Sequence, residues 1–301
     1  MLPAHFYNIL ESYLHNRFFY VDFKGEETTL RSVLSGVPQG SVLGPLLYLI
    51  YTADLPTSNH TSLYTFADDT AIIAVHEDPA VASSHLQNHL NKVGDWLKEW
   101  KIKANATKSQ HITFTLRRND CPAVTLDEVE VPRSDSVKYL GLHLDRRLTW
   151  RKHVWTKKLQ LNTMMRRMYW FMGRKSKLSL ANKLLLYKTV ITPVWTYGIQ
   201  LWGSAAASTV DILERFQNRT LRTIVDAPWY VTNRLIRKDL NVKSVKDMVL
   251  ERCKTYKVRL DGHPNPSIAG DILVPKIQRS LRRCWPSDLY DDERGGGDIL
   301  T

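Results

Sequence analysis

Asp68 and Asp69 stand side by side in a 301-residue chain, between the apolar runs Ser62–Thr65 and Thr70–Val75. Neighbouring carboxylates repel by roughly 1 kcal/mol at about 4 Å in water, and by more in a less polar setting. A tight strand connection is a sensible place for them where a divalent cation neutralises both. Such oxygen donors suit Mg²⁺ (or Mn²⁺), whose shell combines one or two protein carboxylates with phosphate oxygens and water. Two such ions can activate a hydroxyl and stabilise a departing pyrophosphate in an in-line phosphoryl transfer. The simpler alternative is a solvated turn, since Asp is a common turn residue. A second pair, Asp291–Asp292, has Glu293, Arg294 and glycines beside it instead of strands, and reads as a feature of the tail.

A second group of residues with chemical potential is the run Gly36-Val37-Pro38-Gln39-Gly40-Ser41-Val42-Leu43-Gly44-Pro45. Gly36 and Gly40 permit close approach of backbone to a substrate. Gln39 carries both a donor and an acceptor for a nucleotide or template strand. Ser41 is placed to cap the following helix, whose N-terminal amides favour a phosphate. Standing alone, the same run reads better as a Gly/Pro loop leading into a capped core helix.

The elements that must position these residues follow from periodicity. Met1–Asn16 reads as a helix, Arg17–Lys24 as a strand ending in a turn at Gly25, and Ser41–Asp54 as a buried helix. Asp78-Pro79 is a helix start, and Leu86, Leu90, Val93, Leu97 and Trp100 then form one apolar stripe. Gln110–Leu116 is expected to be a strand, and Val137–Asp145 a strand or hairpin around Gly141. Beyond residue 150 long helices follow. One carries Val154, Leu161, Met165, Met168 and Met172 and stops at Gly173; another carries Leu180 to Trp195 with a kink near Pro193. A third is capped by Ser208 with Asp211, and a fourth covers Val242–Leu260. His85 and His89 share the face of an amphipathic helix and read as surface residues. The Gly295–Gly297 run predicts a partly disordered end.

Charge separates the two halves. The chain has 42 Lys and Arg against 30 Asp and Glu, a net of +12. Between Arg146 and Val210 lie 13 basic residues and no acidic one, leaving 29 basic against 30 acidic elsewhere. A basic segment of this kind is the footprint of phosphate tracking, with Trp150, Trp155, Tyr169 and Trp170 available to stack on bases. The plain alternative is a solvated helix face with its aromatics in the core. Three cysteines too widely spaced for a zinc site, no visible secretory signal and no apolar span predict an intracellular protein, nuclear or cytoplasmic, neither secreted nor membrane-bound. Oligomeric state is not readable.

Taken in order, the motifs resemble a reverse transcriptase of the non-LTR (LINE-type) retrotransposon kind, most like the jockey group. The similar text is Ser35-Gly36-Val37-Pro38-Gln39-Gly40-Ser41-Val42-Leu43-Gly44-Pro45, Phe66-Ala67-Asp68-Asp69, the stretch Trp100 to Lys108, and Val137-Lys138-Tyr139-Leu140-Gly141. Thr196-Tyr197-Gly198-Ile199-Gln200-Leu201-Trp202 and Leu213-Glu214-Arg215-Phe216-Gln217-Asn218 resemble the helical region after the palm in these elements.

The resemblance implies an α/β (α+β) fold: a partial palm of a right-hand polymerase over 1–145, a basic helical thumb over 146–260, and a C-terminal tail over 261–301. It implies an RNA template, a DNA primer and deoxynucleoside triphosphates as partners. Asp68 and Asp69 would hold the metal, while Pro38, Gln39, Gly40, Phe66 and Ala67 would contact nucleotide, template or primer end. Lys108 would protonate the departing pyrophosphate, although a surface lysine is an equal reading. Tyr139, Leu140 and Gly141 would grip the primer. Arg151, Lys152, Lys157, Lys158, Arg166 and Arg167 would hold the nucleic-acid backbone.

Relatives of this kind carry a further metal-binding aspartate on a palm strand upstream of the Gly-Val-Pro-Gln-Gly loop, and the sequence begins after that point. Asp22 and Asp54 are poor substitutes by position. The expectation is an N-terminally truncated polymerase, inactive or nearly so by itself. Two other readings stay open: a non-catalytic nucleic-acid-binding remnant, and a group II intron maturase-like polymerase.

Overall fold

In the computed structural model, residues 3–105, 108–118, 120–265 and 286–289 are described. They form a mixed helix-and-strand protein in two compact units: Met1–Asn105 with Pro122–Glu130, and Ala106–Cys121 with Val131–Thr301. The expected tail disorder and Asp291–Asp292 lie outside the described residues.

The first unit opens with α1 (Ala4–Leu14), followed by two small antiparallel ribbons. In these, β1 (Phe18–Phe19) pairs with β4 (Arg31–Ser32), and β2 (Asp22–Phe23) pairs with β3 (Glu26–Glu27). The single strand expected over Arg17–Lys24 is thus broken in two. Gly25 turns the inner ribbon at φ +86, and the Asp22 carboxylate accepts from its amide at 3.1 Å, a local structural duty for Asp22. Helix α2 (Leu43–Tyr51) follows, then the hairpin of β5 (Thr61–Phe66) and β6 (Asp69–Ala74). Helix α3 (Pro79–Glu99) starts where Asp78 accepts from the Ala80 amide, with Pro79 at the first helical position. Its stripe buries Val93, Trp96 and Leu97 against Leu55, Ile72, Trp100 and Leu126. A third ribbon joins β7 (Thr125–Leu126) to β8 (Val129–Glu130).

Two expectations for this unit fail. Helix α2 buries none of its residues, and Leu46, Leu49 and Ile50 are exposed. An apolar run shows that a helix can be covered, but not that a neighbour covers it. His89 is fully buried in place of lying on the surface. Its ring nitrogens bond the Thr61 hydroxyl at 2.6 Å and the Pro56 carbonyl at 2.8 Å, which satisfies both polar atoms and makes burial affordable. His85 stays half-exposed, stacked on His60 with ring centroids 4.4 Å apart.

The second unit is dominated by helices. Residues 110–116 form no strand; His111 makes one isolated bridge to Arg133. The hairpin of β9 (Ser136–Tyr139) and β10 (Leu142–Asp145) leads into α4 (Arg151–Arg167) and α5 (Tyr169–Met172). After α6 (Leu180–Leu186) comes a π turn, Tyr187–Ile191, and then α7 (Thr192–Thr196). The kink expected near Pro193 takes this form because proline has no N–H and its ring clashes with the carbonyl four residues back. Thr192 donates its amide and, at 3.0 Å, its hydroxyl to the Tyr187 carbonyl, sealing the widened turn. Helices α8 (Ile199–Trp202), α9 (Ala207–Val225), α10 (Asn233–Asp239) and α11 (Val245–Asp261) complete the unit with a 3-10 turn, Pro286–Leu289. Ser208 lies inside α9 and is not its cap; the helix begins after Ala206 with no side-chain cap. Ser244 caps α11 by accepting from the Asp247 amide.

The core of this unit is deep. Leu161, Met172, Ile191, Trp195, Trp202 and Leu221 are almost wholly removed from water. At roughly 1.5–3 kcal/mol for each fully buried large side chain, this packing holds the helices together.

Candidate active site

The Asp68–Asp69 pair sits at the tip of the β5–β6 hairpin. Two apolar runs joined by a short connection predict such a hairpin, and the observed register pairs Phe66 with Asp69 across a two-residue turn, Ala67-Asp68. Ala67 takes a left-handed conformation at φ +50, unusual for a residue with a side chain. Phe66, Asp68 and Asp69 are all exposed, so the tip presents an aromatic ring and two carboxylates to solvent. Tyr48 of α2 lies close enough to sense the pair: its phenol is shifted upward by burial first and by the negative charge of Asp68 second. Nothing in the apolar run of α2 singles out Tyr48; its proximity to Asp68 emerges only from the fold.

The glycine-rich loop belongs to the same unit. Gly36 and Gly40 have φ of +82 and +85, the left-handed backbone that only glycine adopts cheaply. Pro38 and Gln39 are exposed between them. Arg17 donates to the Gly36 carbonyl, and the Ser41 amide to the Pro38 carbonyl at 3.1 Å. The Ser41 hydroxyl oxygen accepts from Tyr13 at 2.7 Å and from the Leu43 amide at 3.2 Å, so it engages the start of α2 although Val42 is the formal cap. Asp54 is taken up structurally, accepting from the Trp96 indole N–H at 3.0 Å.

Two carboxylates are not a closed metal cage. Among the described residues no group of three or more His, Cys, Asp or Glu side chains gathers to hold an ion. Oxygen donors in an exposed pair do fit a hard divalent cation whose remaining positions go to water and phosphate.

Lys108 and the remaining candidates lie in the second unit; Lys108 is exposed. At the tip of the β9–β10 hairpin, Leu140 and Gly141 have φ of +45 and +76, the paired left-handed geometry of a tight hairpin turn. The tip is braced: Tyr197 donates to the Leu140 carbonyl at 2.7 Å, and a side-chain carbon at Gly141 would lie 3.2 Å from the Tyr197 ring. Gly198 has φ +64, and a side chain there would strike Leu142 at 2.6 Å. The Thr196-Tyr197-Gly198 motif therefore works as a support for Tyr139-Leu140-Gly141.

The basic residues of α4 divide between two surroundings. Lys152 donates to Ser136 beside the hairpin, and the Lys157 ammonium lies 5.7 Å from the Tyr197 ring centre. Burial, and then the Lys138 charge, lower the Lys157 pKa. Arg151 and Lys158 instead line a groove against α9. Arg166 and Arg167 are exposed in the last turn. Not every cation of the segment faces solvent: Lys183 is buried and donates to the Gly173 carbonyl at 3.0 Å, closing the end of α5. Of the four aromatics, Trp150 belongs to the core, while Trp155, Tyr169 and Trp170 are exposed.

Residues 2–144 match the family described as reverse transcriptase (RNA-dependent DNA polymerase), and this portion of the chain belongs to that family. The similarity to individual proteins continues past it. The chain is 38% identical over 294 residues to a probable RNA-directed DNA polymerase from the transposon X-element of Drosophila melanogaster, covering 96% of this chain and 32% of that relative. It is 35% identical over 306 residues to the RNA-directed DNA polymerase from the mobile element jockey of the same species, covering 96% and 33%. A probable RNA-directed DNA polymerase from transposon BS, also of D. melanogaster, is 36% identical over 293 residues, covering 94% and 32%. The chain thus spans about a third of the length of these curated relatives.

Proposed function

We propose that these residues are the catalytic palm portion and thumb of an RNA-directed DNA polymerase of a non-LTR element, extending a DNA primer on an RNA template. The observation that carries this reading is the exposed Asp68–Asp69 pair on a two-residue hairpin turn, within the unit that also holds the Gly-Val-Pro-Gln-Gly loop. Asp68 and Asp69 are the residues that would hold Mg²⁺ or Mn²⁺. When bound, such an ion neutralises phosphate charge and makes a primer hydroxyl a better nucleophile.

The chain's own groups do the rest. Pro38, Gln39 and Gly40 present a backbone open to an incoming nucleotide and template, and Phe66 and Ala67 flank the primer end. Lys108 donates a proton to the departing pyrophosphate. Tyr139, Leu140 and Gly141 hold the primer, with Tyr197 fixing the tip. Arg151, Lys152, Lys157, Lys158, Arg166 and Arg167 track the phosphates, so binding weakens steeply with salt. The setting is intracellular, since template, primer and nucleotides are found there; among the described residues no helix is long and apolar enough to cross a membrane.

The metal site calls for one more aspartate than the hairpin supplies, so the 301 residues alone are inactive or nearly so. The test is template–primer extension with Mg²⁺ or Mn²⁺. Expected is background incorporation by the 301-residue chain, and Asp68-dependent extension once the upstream palm segment of a jockey-type relative is joined to it. Robust incorporation by the chain alone, lost in Asp68→Ala, overturns the proposed incompleteness. No extension by the joined protein, with nucleic-acid binding intact, favours a binding remnant; the self-contained core of the helical unit would permit such a remnant.

A further inference from the structure

Helices α4 and α9 enclose a groove of about 520 Å³. Each contributes one face at the same helical spacing: Arg151, Trp155, Lys158 and Asn162 from α4, and Ser208, Ile212, Arg215 and Arg219 from α9. None of the ten residues lining the groove is acidic, and four are cations. The acids of α9 point elsewhere and are engaged. Glu214 bonds Arg237 at 2.7 Å and the Val245 amide at 2.7 Å, while Asp211 lies 3.6 Å from the Lys246 ammonium. The positive field of the groove is therefore not cancelled locally.

Its second property is an aromatic face. Trp155 is 49% exposed, and the Lys158 ammonium sits 4.2 Å from its ring centre. A large apolar ring exposed beside cations suits a ligand that is both anionic and flat. Twelve residues of helix, eleven rises, give the stripe a length of about 16 Å, room for a few nucleotides in extended form. In a duplex the base faces are already stacked on one another, so Trp155 would have nothing to receive.

We infer that this groove binds single-stranded nucleic acid, with Arg151, Lys158, Arg215 and Arg219 on the phosphates and a base stacked on Trp155. The inference rests on the reading that the protein works on nucleic acid. It adds a strand-specific site whose α9 residues and aromatic platform have no part in primer extension as described above.

The experiment is fluorescence anisotropy on the full 301-residue chain, with a labelled 12-nucleotide oligo-dT, an oligo-U of the same length and an RNA–DNA duplex of the same length. Trp155→Ala is expected to weaken single-strand binding about tenfold, with Trp155→Phe restoring most of it. The Arg215→Gln/Arg219→Gln double variant should lower the salt slope on single strands by about 1.4. Duplex binding should change less than about twofold in either variant. Arg234→Gln/Lys238→Gln, an equal loss of charge on α10, should leave single-strand binding near the parent value. Circular dichroism melting verifies that each variant folds. Unchanged single-strand affinity in the folded Trp155 and Arg215/Arg219 variants overturns the proposal; so does an equal loss on duplex, or an equal loss in the α10 control. Asp68→Ala should not alter this binding, so failed primer extension by the joined protein, with single-strand binding normal, counts against the polymerase reading alone.

Discussion

The two units differ in how deep a core their apolar side chains build. In the helical unit Trp195, Trp202, Leu161 and Ile191 are packed away from water, and even a lysine, Lys183, is drawn in and bonded. In the first unit Val93, Trp96 and Leu97 make up a small buried cluster, while Phe6, Ile9, Leu46, Leu49 and Phe66 remain exposed. The carboxylate pair stands on the thinly packed unit. On the proposed reading, a site that admits nucleotide, template and primer has to stay open, and the exposed Phe66 ring next to the pair would offer contact area to such ligands. The helical unit instead carries its exposed cations Arg166 and Arg167 on a deeply packed frame.

Four measurements would sharpen or break that contrast. The largest effect is expected from Asp68→Ala in the primer-extension protein: at least about a thousandfold loss of incorporation, with urea denaturation unchanged because the side chain is exposed. A comparable stability loss would show that the hairpin tip is structural.

Next is Trp202→Ala, which removes a fully buried ring and its N–H bond to the Tyr197 carbonyl at 3.1 Å. It should cost about 3–5 kcal/mol in urea melts of the helical unit. Trp96→Ala in the thinner cluster should cost less; equal losses would break the comparison.

The third is a pH effect confined to the helical unit. His153 is buried on α4, its Nδ1 accepting from the His143 amide at 3.3 Å. Its pKa is pushed down to about 4 by burial first, then by Lys157 and His143. The unfolded chain takes up that proton near pH 6.5 and the folded one only near 4. The stabilisation is therefore complete above about pH 6.5 and lost as pH falls towards 4, by up to about 3 kcal/mol. Denaturation across that window should show the slope, and His153→Phe should flatten it.

The smallest effects concern the braced hairpin. Tyr197→Phe should cost about 1 kcal/mol through the lost bond to Leu140. Gly198→Ala should cost about 1–3 kcal/mol, because the backbone is left-handed and the new carbon meets Leu142. Thermal melts would check both, and a neutral Gly198→Ala would mean that the support is slack.

Local signals in the sequence carried well where a residue acts through its immediate neighbours. Asp78-Pro79 starts α3, the apolar runs around Asp68-Asp69 make a hairpin, Gly141 turns another, and Pro193 distorts a helix. They failed where the outcome depended on partners distant in the chain. Helix α2 looks like a core element, yet no buried residue results; His89 looks like half of a surface pair, yet Thr61 and Pro56 receive its ring. Gln110–Leu116 has strand composition but gains one isolated bridge, because a strand exists only through its pairing. The acidic pair and the glycine loop were legible as candidates, and both are exposed in the same unit. The neighbourhood of Tyr48 and the division of the α4 cations into two sets were not, since both are products of packing.

Asp145 closes β10 and receives four bonds at once, from the amides of Arg147, Thr149 and Trp150 and from the Thr149 hydroxyl, at 3.0–3.2 Å. Trp150 is thereby held at φ +61 where α4 begins. The corner between ribbon and helix is stapled by this carboxylate, alongside the His143–His153 and Lys152–Ser136 bonds. Removing the Asp145 carboxylate would strand three amides at the left-handed start of α4, while the two neighbouring bonds still tether the ribbon.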